Sequence, residues 1–175
     1  LVEDSNFEFM VYCSGRHYKE RLSVYKNAKL VYLPIKANGL MSIFYDVLSI
    51  LHGLIMGHKR FLILGTSGAI FIPLVRFFCP GVKMFVNIDG VEWQRSKWHG
   101  LAKAFLKLSE GIAIKYSHSV IADNDAIADY IMEVYNRDCR IIAYGGDHAV
   151  FDTGEKHHLQ DIKLNKPYVL AISRI

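Results

Sequence analysis

Residues Asp89-Gly90-Val91-Glu92-Trp93-Gln94-Arg95-Ser96-Lys97-Trp98 gather two acids, two bases, a glycine and two tryptophans in ten positions. A carboxylate such as Asp89 can orient a hydroxyl or stabilise positive charge. Arg95 and Lys97 can hold phosphate or carboxylate oxygens. A tryptophan offers a flat apolar face and one N–H donor, which suits a sugar ring or another amphipathic partner. Two readings stay open for each of Trp93 and Trp98: lining a groove, or filling space beneath one. Glu92 is placed to hold Arg95 or Lys97 as an ion pair.

The elements around this stretch must present it. The apolar run Val82 to Ile88 precedes it and reads as a buried strand. A helix from about Lys97 to Tyr116 comes after it, with Leu101, Phe105, Leu108 and Ile112 recurring at helical steps and Lys103, Lys107 and Glu110 off that stripe. In an open α/β sheet the end of a strand is where ligands bind.

The same alternation runs along the chain. Strands are expected at Phe7 to Cys13, Ala28 to Pro34, Arg60 to Leu64, Lys83 to Ile88, Ser119 to Ala122, Arg140 to Ala143 and Tyr168 to Ile172. Helices are expected at Gly39 to Gly57, Thr66 to Phe78 and from Asp123 or Asn124 to Tyr135, with a short one at Glu155 to Asp161. Leu40, Ile43, Phe44, Val47, Leu51, Leu54 and Ile55 form one broad apolar face of the first helix. Ile127, Tyr130, Ile131 and Val134 are the inward face of the last long one. Ser14 to Asn27 has no clean period and reads as a loop. The fold class is α/β: a Rossmann-like parallel sheet with helices on both faces.

A second candidate lies at Gly65-Thr66-Ser67-Gly68, between a strand and a helix. Glycines there let backbone N–H groups approach a phosphate or an acceptor hydroxyl, but a plain tight turn is the preferred reading. The loop lacks the lysine of a phosphate-binding Walker motif and the glycine spacing of a dinucleotide fingerprint, which argues against a nicotinamide oxidoreductase. Asp123-Asn124-Asp125 has the form of a D-x-D metal pair, but it is also a good helix start, and that reading is preferred. His157-His158 lacks a third ligand at a telling distance, and His99 is a weak binding candidate. No serine nucleophile elbow, H-E-x-x-H or paired-cysteine motif occurs.

Composition narrows the class. Of 175 residues, 51% are hydrophobic and 22% charged, enough for one packed domain. The net charge of +4 favours acidic ligands or an anionic membrane surface without requiring nucleic acid. Between Glu92 and Lys107 the bases Arg95, Lys97, Lys103 and Lys107 face one acid, Glu92, which makes a basic helix that could rest on anionic lipid. Cys13, Cys79 and Cys139 are odd in number and far apart, as expected of reduced, buried thiols in a cytoplasmic protein. Phe61 to Phe78 is long enough to span a bilayer, but Gly65 to Gly68, Pro73 and Arg76 break it.

Val86-Asn87-Ile88-Asp89-Gly90-Val91-Glu92-Trp93 with Arg95, Lys97 and Trp98 resembles the N-terminal domain of bacterial family 4 glycosyltransferases. The nearest subgroup is the rhamnosyltransferase-like set of surface polysaccharide assembly. Leu108-Ser109-Glu110, Val120-Ile121-Ala122-Asp123-Asn124, Ile142-Ala143-Tyr144-Gly145-Gly146-Asp147 and Leu170-Ala171-Ile172-Ser173-Arg174 continue the resemblance in order.

The resemblance implies a GT-B architecture and a retaining transfer of a sugar, rhamnose at family level, from a nucleotide-diphosphate sugar to a glycan or lipid-linked acceptor. It implies no metal held by a D-x-D pair and no further cofactor. It makes 1–166 a Rossmann-like acceptor-binding domain lacking its first strand and glycine-rich loop, and 167–175 the start of an absent donor-binding domain. The chain alone is then expected to be inactive. Asp89 takes the position facing the reaction centre. Gly65, Thr66, Ser67, Asn87, Gly90, Glu92, Trp93, Arg95, Lys97 and Trp98 become acceptor-binding candidates. Tyr144, Gly145, Gly146 and Arg174 would face the interdomain cleft and donor. The expected location is cytoplasmic, peripheral on the inner face of the cell membrane where the basic helix meets lipid. The competing reading is a non-catalytic Rossmann-like module that binds a nucleotide or a protein partner.

Overall fold

The structure, a computed structural model, describes residues 7–16, 21–39 and 41–145. The chain divides into a unit of Leu1–Ala143 and a second of Tyr144–Ile175. In the second, only Tyr144 and Gly145 fall among the described residues, so the expected helix at Glu155 to Asp161 and strand at Tyr168 to Ile172 lie outside them.

The first unit is mixed α/β and Rossmann-like. Strands β4 (Arg60–Leu64), β5 (Lys83–Ile88), β6 (Ser119–Ala122) and β7 (Arg140–Ile141) lie side by side in that order, every pair parallel. Their connections carry α2 (Ile72–Phe78, entered through a 3-10 turn at Ala69–Phe71), α3 (Gly100–Tyr116) and α4 (Asp125–Tyr135). β5 is central and buried on both faces, with Met84, Val86, Asn87 and Ile88 all buried, which is why it reads as a continuous apolar run. Met84, Val86 and Ile88 join Ile72, Val75, Ala113, Ile114, Val120 and Ile131 in one core.

A second sheet has the order β1-β3-β2, from β1 (Phe9–Ser14), β2 (Val24–Tyr25) and β3 (Ala28–Leu33). β1 and β3 are parallel, while β2 runs antiparallel to β3. The expected loop over Ser14 to Asn27 therefore contains a strand. Lys26 (φ 45°) and Asn27 (φ 64°) both take the left-handed conformation, and two such residues in succession turn the chain tightly into an antiparallel neighbour. Among the described residues no strand pair joins the two sheets. Helix α1 (Met41–Ile55) contacts β1 through a hydrogen bond of 3.0 Å between the Tyr12 hydroxyl and His52 Nδ1.

Helix faces differ from expectation where helical period alone was used. In α1 the buried residues are Tyr45, Ile50 and Gly53, while Phe44, Leu51 and Ile55 are exposed; Leu40 lies outside the described residues. In α4 Ile131 is buried, with Ile127 and Tyr130 against the core, but Val134 is exposed. In α3 the buried residues are Ser109, Glu110, Ala113 and Ile114, and Leu101 and Leu108 face outward. Period finds a stripe; a neighbour with matching hydrogen-bond donors decides which side turns in.

No helix among the described residues is long and apolar enough to cross a membrane. The three cysteines are free and half-buried rather than sealed in the core.

Candidate functional site

β4 and β5 end side by side, Leu64 beside Asn87, and the chain leaves both at the same edge of the sheet. Gly65 takes φ +94°, a conformation closed to most side chains, and its N–H donates to the Asn87 carbonyl at 3.0 Å. That bond fastens the 65–68 loop to the end of β5. The loop is held from below as well. Ser109 of α3 donates to the Thr66 carbonyl at 2.5 Å. Ser67 donates its hydroxyl to Asp46 of α1, and the Gly68 N–H binds the same carboxylate. A β-carbon at Gly68 would lie 2.4 Å from the Asp46 β-carbon, so this close approach needs glycine. Burial raises the Asp46 carboxyl above the usual aspartate range, against the lowering effect of its two hydrogen bonds.

Beyond β5, Asp89 is exposed and Gly90 leads into a 3-10 turn at Glu92–Gln94. Glu92 is the hub of this turn. Its Oε2 accepts from Arg95 Nη1 at 2.9 Å; its Oε1 takes Lys97 Nζ at 2.8 Å and the Trp98 indole N–H at 3.0 Å. Burial pushes the Glu92 carboxyl up. The bonds from Lys97 and Trp98 and the charges of Lys97 and Arg95 outweigh it, so the net shift is downward. Lys97 Nζ also stands 5.0 Å from the Trp98 ring centre.

A cavity of about 350 Å³ opens at this edge. Asp89, Gly90, Glu92, Lys97 and Trp98 form one wall, and Gly65, Thr66 and Ser67 another. The 37–39 turn and the start of α1 close it on the third side, and Ala102, Phe105 and Leu106 of α3 lie beneath. A carboxylate, a lysine tied to a neighbouring acid, a tryptophan and a glycine-containing loop thus surround one space. The set can accept a hydrogen bond from a hydroxyl, present a flat platform to a ring and offer positive charge to an anion.

Three expected members stand apart from the cavity lining. Asn87 is buried in β5 and contributes its carbonyl to the Gly65 bond. The Arg95 side chain is exposed and paired to Glu92. Trp93 turns inward: its indole N–H donates to Glu110 Oε1 at 3.1 Å, and Lys103 and Lys107 lie over its ring at 5.6 and 4.9 Å. The same Glu110 oxygen accepts from the Tyr130 hydroxyl at 2.6 Å and the Tyr135 hydroxyl at 2.8 Å. Burial and the adjoining carboxylate raise both phenols. Glu110 is 1% exposed, so this is a buried acceptor joining α3, α4 and the 92–94 turn. The two tryptophans, interchangeable in sequence, have separate tasks.

Sequence reasoning missed Asp46 as the support of the loop. Its signal was available: it is the one acid of α1, in a helix otherwise apolar on most sides. Asp123-Asn124-Asp125 is a helix start, since the Asn124 side chain accepts from the Ile127 N–H at 3.0 Å and binds Asp123 at 2.8 Å. His99 is exposed, immediately before α3, and makes no side-chain capping bond. Among the described residues no group of three or more His, Cys, Asp or Glu could hold a metal. Tyr144 is exposed and Gly145 sits in irregular backbone; Gly146, His157, His158 and Arg174 lie outside the described residues.

A family described as a domain of unknown function, DUF1972, matches residues 2–147. No curated protein matches the chain.

Proposed function

The chain belongs to the DUF1972 family, and from that premise we propose that it is the acceptor-binding part of a glycosyltransferase. The family's association with glycosyltransferase-like proteins supports this reading. So does the resemblance of the 86–98 stretch to family 4 glycosyltransferases of the rhamnosyltransferase-like set. The observation that carries it is an exposed Asp89 at the end of the central strand, on the wall of a cavity shared with Trp98, Lys97 and the 65–67 loop.

In this reading Trp98 supports the acceptor sugar by its face, and Thr66 and Ser67 bind its hydroxyls. Asp89 accepts a hydrogen bond from the reacting hydroxyl and turns its oxygen toward the donor. Transfer forms a bond from that oxygen to the donor's anomeric carbon and breaks the carbon's bond to the nucleotide diphosphate, which leaves with the acceptor's proton. Configuration is retained. The donor, a nucleotide-diphosphate sugar, would be held by Tyr144, Gly145, Gly146, Arg174 and a further donor-binding domain.

The test has two arms. The chain is titrated with oligosaccharides and with nucleotides while tryptophan fluorescence is followed. Glycan quenching that is lost in Trp98→Phe and kept in Trp93→Phe is expected. In the complete gene product, Asp89→Asn should lower turnover about a hundredfold or more with KM little changed. Nucleotide binding without any glycan response would favour the non-catalytic module instead, and near-normal turnover would remove Asp89 from the reaction centre.

A further inference from the structure

The cavity at the strand edge is lined by groups that receive hydrogen bonds and by few that can give them. A hydroxyl has one proton and two lone pairs. The Ser67 hydroxyl lies against a carboxylate oxygen of Asp46, and an ionised carboxylate has no proton to give, so the serine's own proton goes there. The Ser42 hydroxyl is 2.7 Å from the Gly39 carbonyl, which fixes its proton in the same way. Both serines line the cavity, and both are left with lone pairs alone. Trp98 gives its single N–H to Glu92, and the Asp89 carboxylate only accepts. The donors left among the lining side chains are Lys97, Asn38 and Thr66.

The backbone of the 65–68 loop is committed as well. Gly65 gives its N–H to the Asn87 carbonyl at 3.0 Å, Gly68 to the Asp46 carboxylate, and Ala69 to the Thr66 carbonyl at 3.1 Å. A phosphate-binding loop needs such N–H groups facing its ligand. The charge behind this loop is negative, from the half-buried Asp46. Lys97 is the one cation among the described residues of the lining, and Glu92 holds it at 2.8 Å. A ligand that meets Ser42, Ser67 and Asp89 must therefore bring its own protons.

We infer that Ser42, Ser67 and Asp89 select a neutral sugar with free hydroxyls, and that Asp46 sets the selection by fixing Ser67 as an acceptor. A sugar hydroxyl can donate to each of the three. A sugar esterified at those positions has no proton to give and sets lone pair against lone pair. A phosphate dianion there also meets the charges of Asp46 and Asp89. Asp46 is a positioning residue, since it acts on the ligand through Ser67. The inference rests on the reading that the cavity receives a sugar, and adds which sugars it refuses.

The probes are methyl α-rhamnopyranoside and sulfate, a tetrahedral anion without a proton near neutral pH. Each is titrated into the isotope-labelled chain at matched ionic strength while backbone amide resonances are followed. The glycoside should move the Thr66 and Ser67 amides, and sulfate should leave them in place. Asp46→Asn removes the charge and turns an amide N–H toward Ser67, which frees the serine proton. Sulfate should then move both amides, and glycoside affinity should fall about threefold. Ser67→Ala should lower glycoside affinity about fivefold and admit no sulfate, because Asp46 keeps its charge. Sulfate moving Thr66 and Ser67 in the unaltered chain would overturn the inference alone. A sulfate response unchanged by Asp46→Asn would remove Asp46 as the residue that sets the selection. A glycoside that moves no resonance would take the sugar-binding reading with it.

Discussion

Within ten residues of sequence, two tryptophans each give an indole N–H to a glutamate, and the two pairs do opposite things. Trp93 binds Glu110 inside the molecule, where two tyrosine hydroxyls share the same oxygen. Trp98 binds Glu92 at the rim, where two exposed cations share the carboxylate and the ring borders the cavity. The inner acceptor is enclosed by neutral donors in a low-dielectric setting, so its loss leaves several groups with nowhere to turn. The outer one is bathed by water that can replace each partner. The same pair of residue types builds a fixed joint in one place and an adjustable site wall in the other.

The sharpest way to break this contrast is to remove the inner carboxylate. Glu110→Ala takes the shared acceptor from three part-buried donors and should cost about 2–4 kcal/mol in urea unfolding. Glu110→Gln, which keeps one acceptor oxygen, should cost distinctly less. If Glu110→Ala were as mild as Glu92→Ala, the inner pair would not be a joint.

Next in size is the tryptophan pair itself. Trp93→Phe loses a bond to a buried carboxylate and should destabilise by about 1–2 kcal/mol. Trp98→Phe should change stability by less than about 0.5 kcal/mol while weakening glycan binding. Reversed effects would exchange the two roles.

Asp46 is an intermediate case, a half-enclosed acid whose carboxyl is raised by burial. A raised acid holds its proton more tightly folded than unfolded. Stability is therefore greatest below the ordinary aspartate range and falls as pH rises through the folded value. Asp46→Asn should flatten that fall and leave the chain as stable or up to about 1 kcal/mol more stable at neutral pH, measured by urea midpoints across the acid range.

Glu92 has the opposite sign and the smallest effect. Its carboxyl is lowered, so its contribution is present above the ordinary glutamate range and lost as pH falls through the folded value. Because the group is partly exposed, Glu92→Gln should cost only about a few tenths of a kcal/mol at neutral pH, and less in high salt.

How much of the molecule was legible depended on which property each residue needed. β4, β5 and β6 run over the spans expected for them; β5 does so because a strand buried in a parallel sheet must be apolar nearly throughout, whereas β4, at the sheet edge, is just as apolar although Leu62 and Leu64 are exposed. The site edge was legible for the same reason: the costly residues begin directly where β5 stops. The facing of α3 was not. Its stripe of Leu101, Leu108 and Ile112 predicts a helix, but only the tyrosines of α4 and the indole of Trp93 explain why Glu110 turns inward. β2 was hidden by its length of two residues, although Lys26-Asn27 carried a turn signal in its asparagine. The division of labour between Trp93 and Trp98 was out of reach, since it rests on contacts from Glu110, well along the next helix.

The contact between Gly68 and Asp46 has a consequence for how this family can vary. A methyl at position 68 would meet the aspartate's own β-carbon, not a flexible tip, so 68 must stay glycine for as long as any side chain stands at 46. Natural variants with alanine or serine at 68 should carry glycine at 46 or a shifted loop, and the hydrogen bonds that now steady the loop would then have to come from a third position.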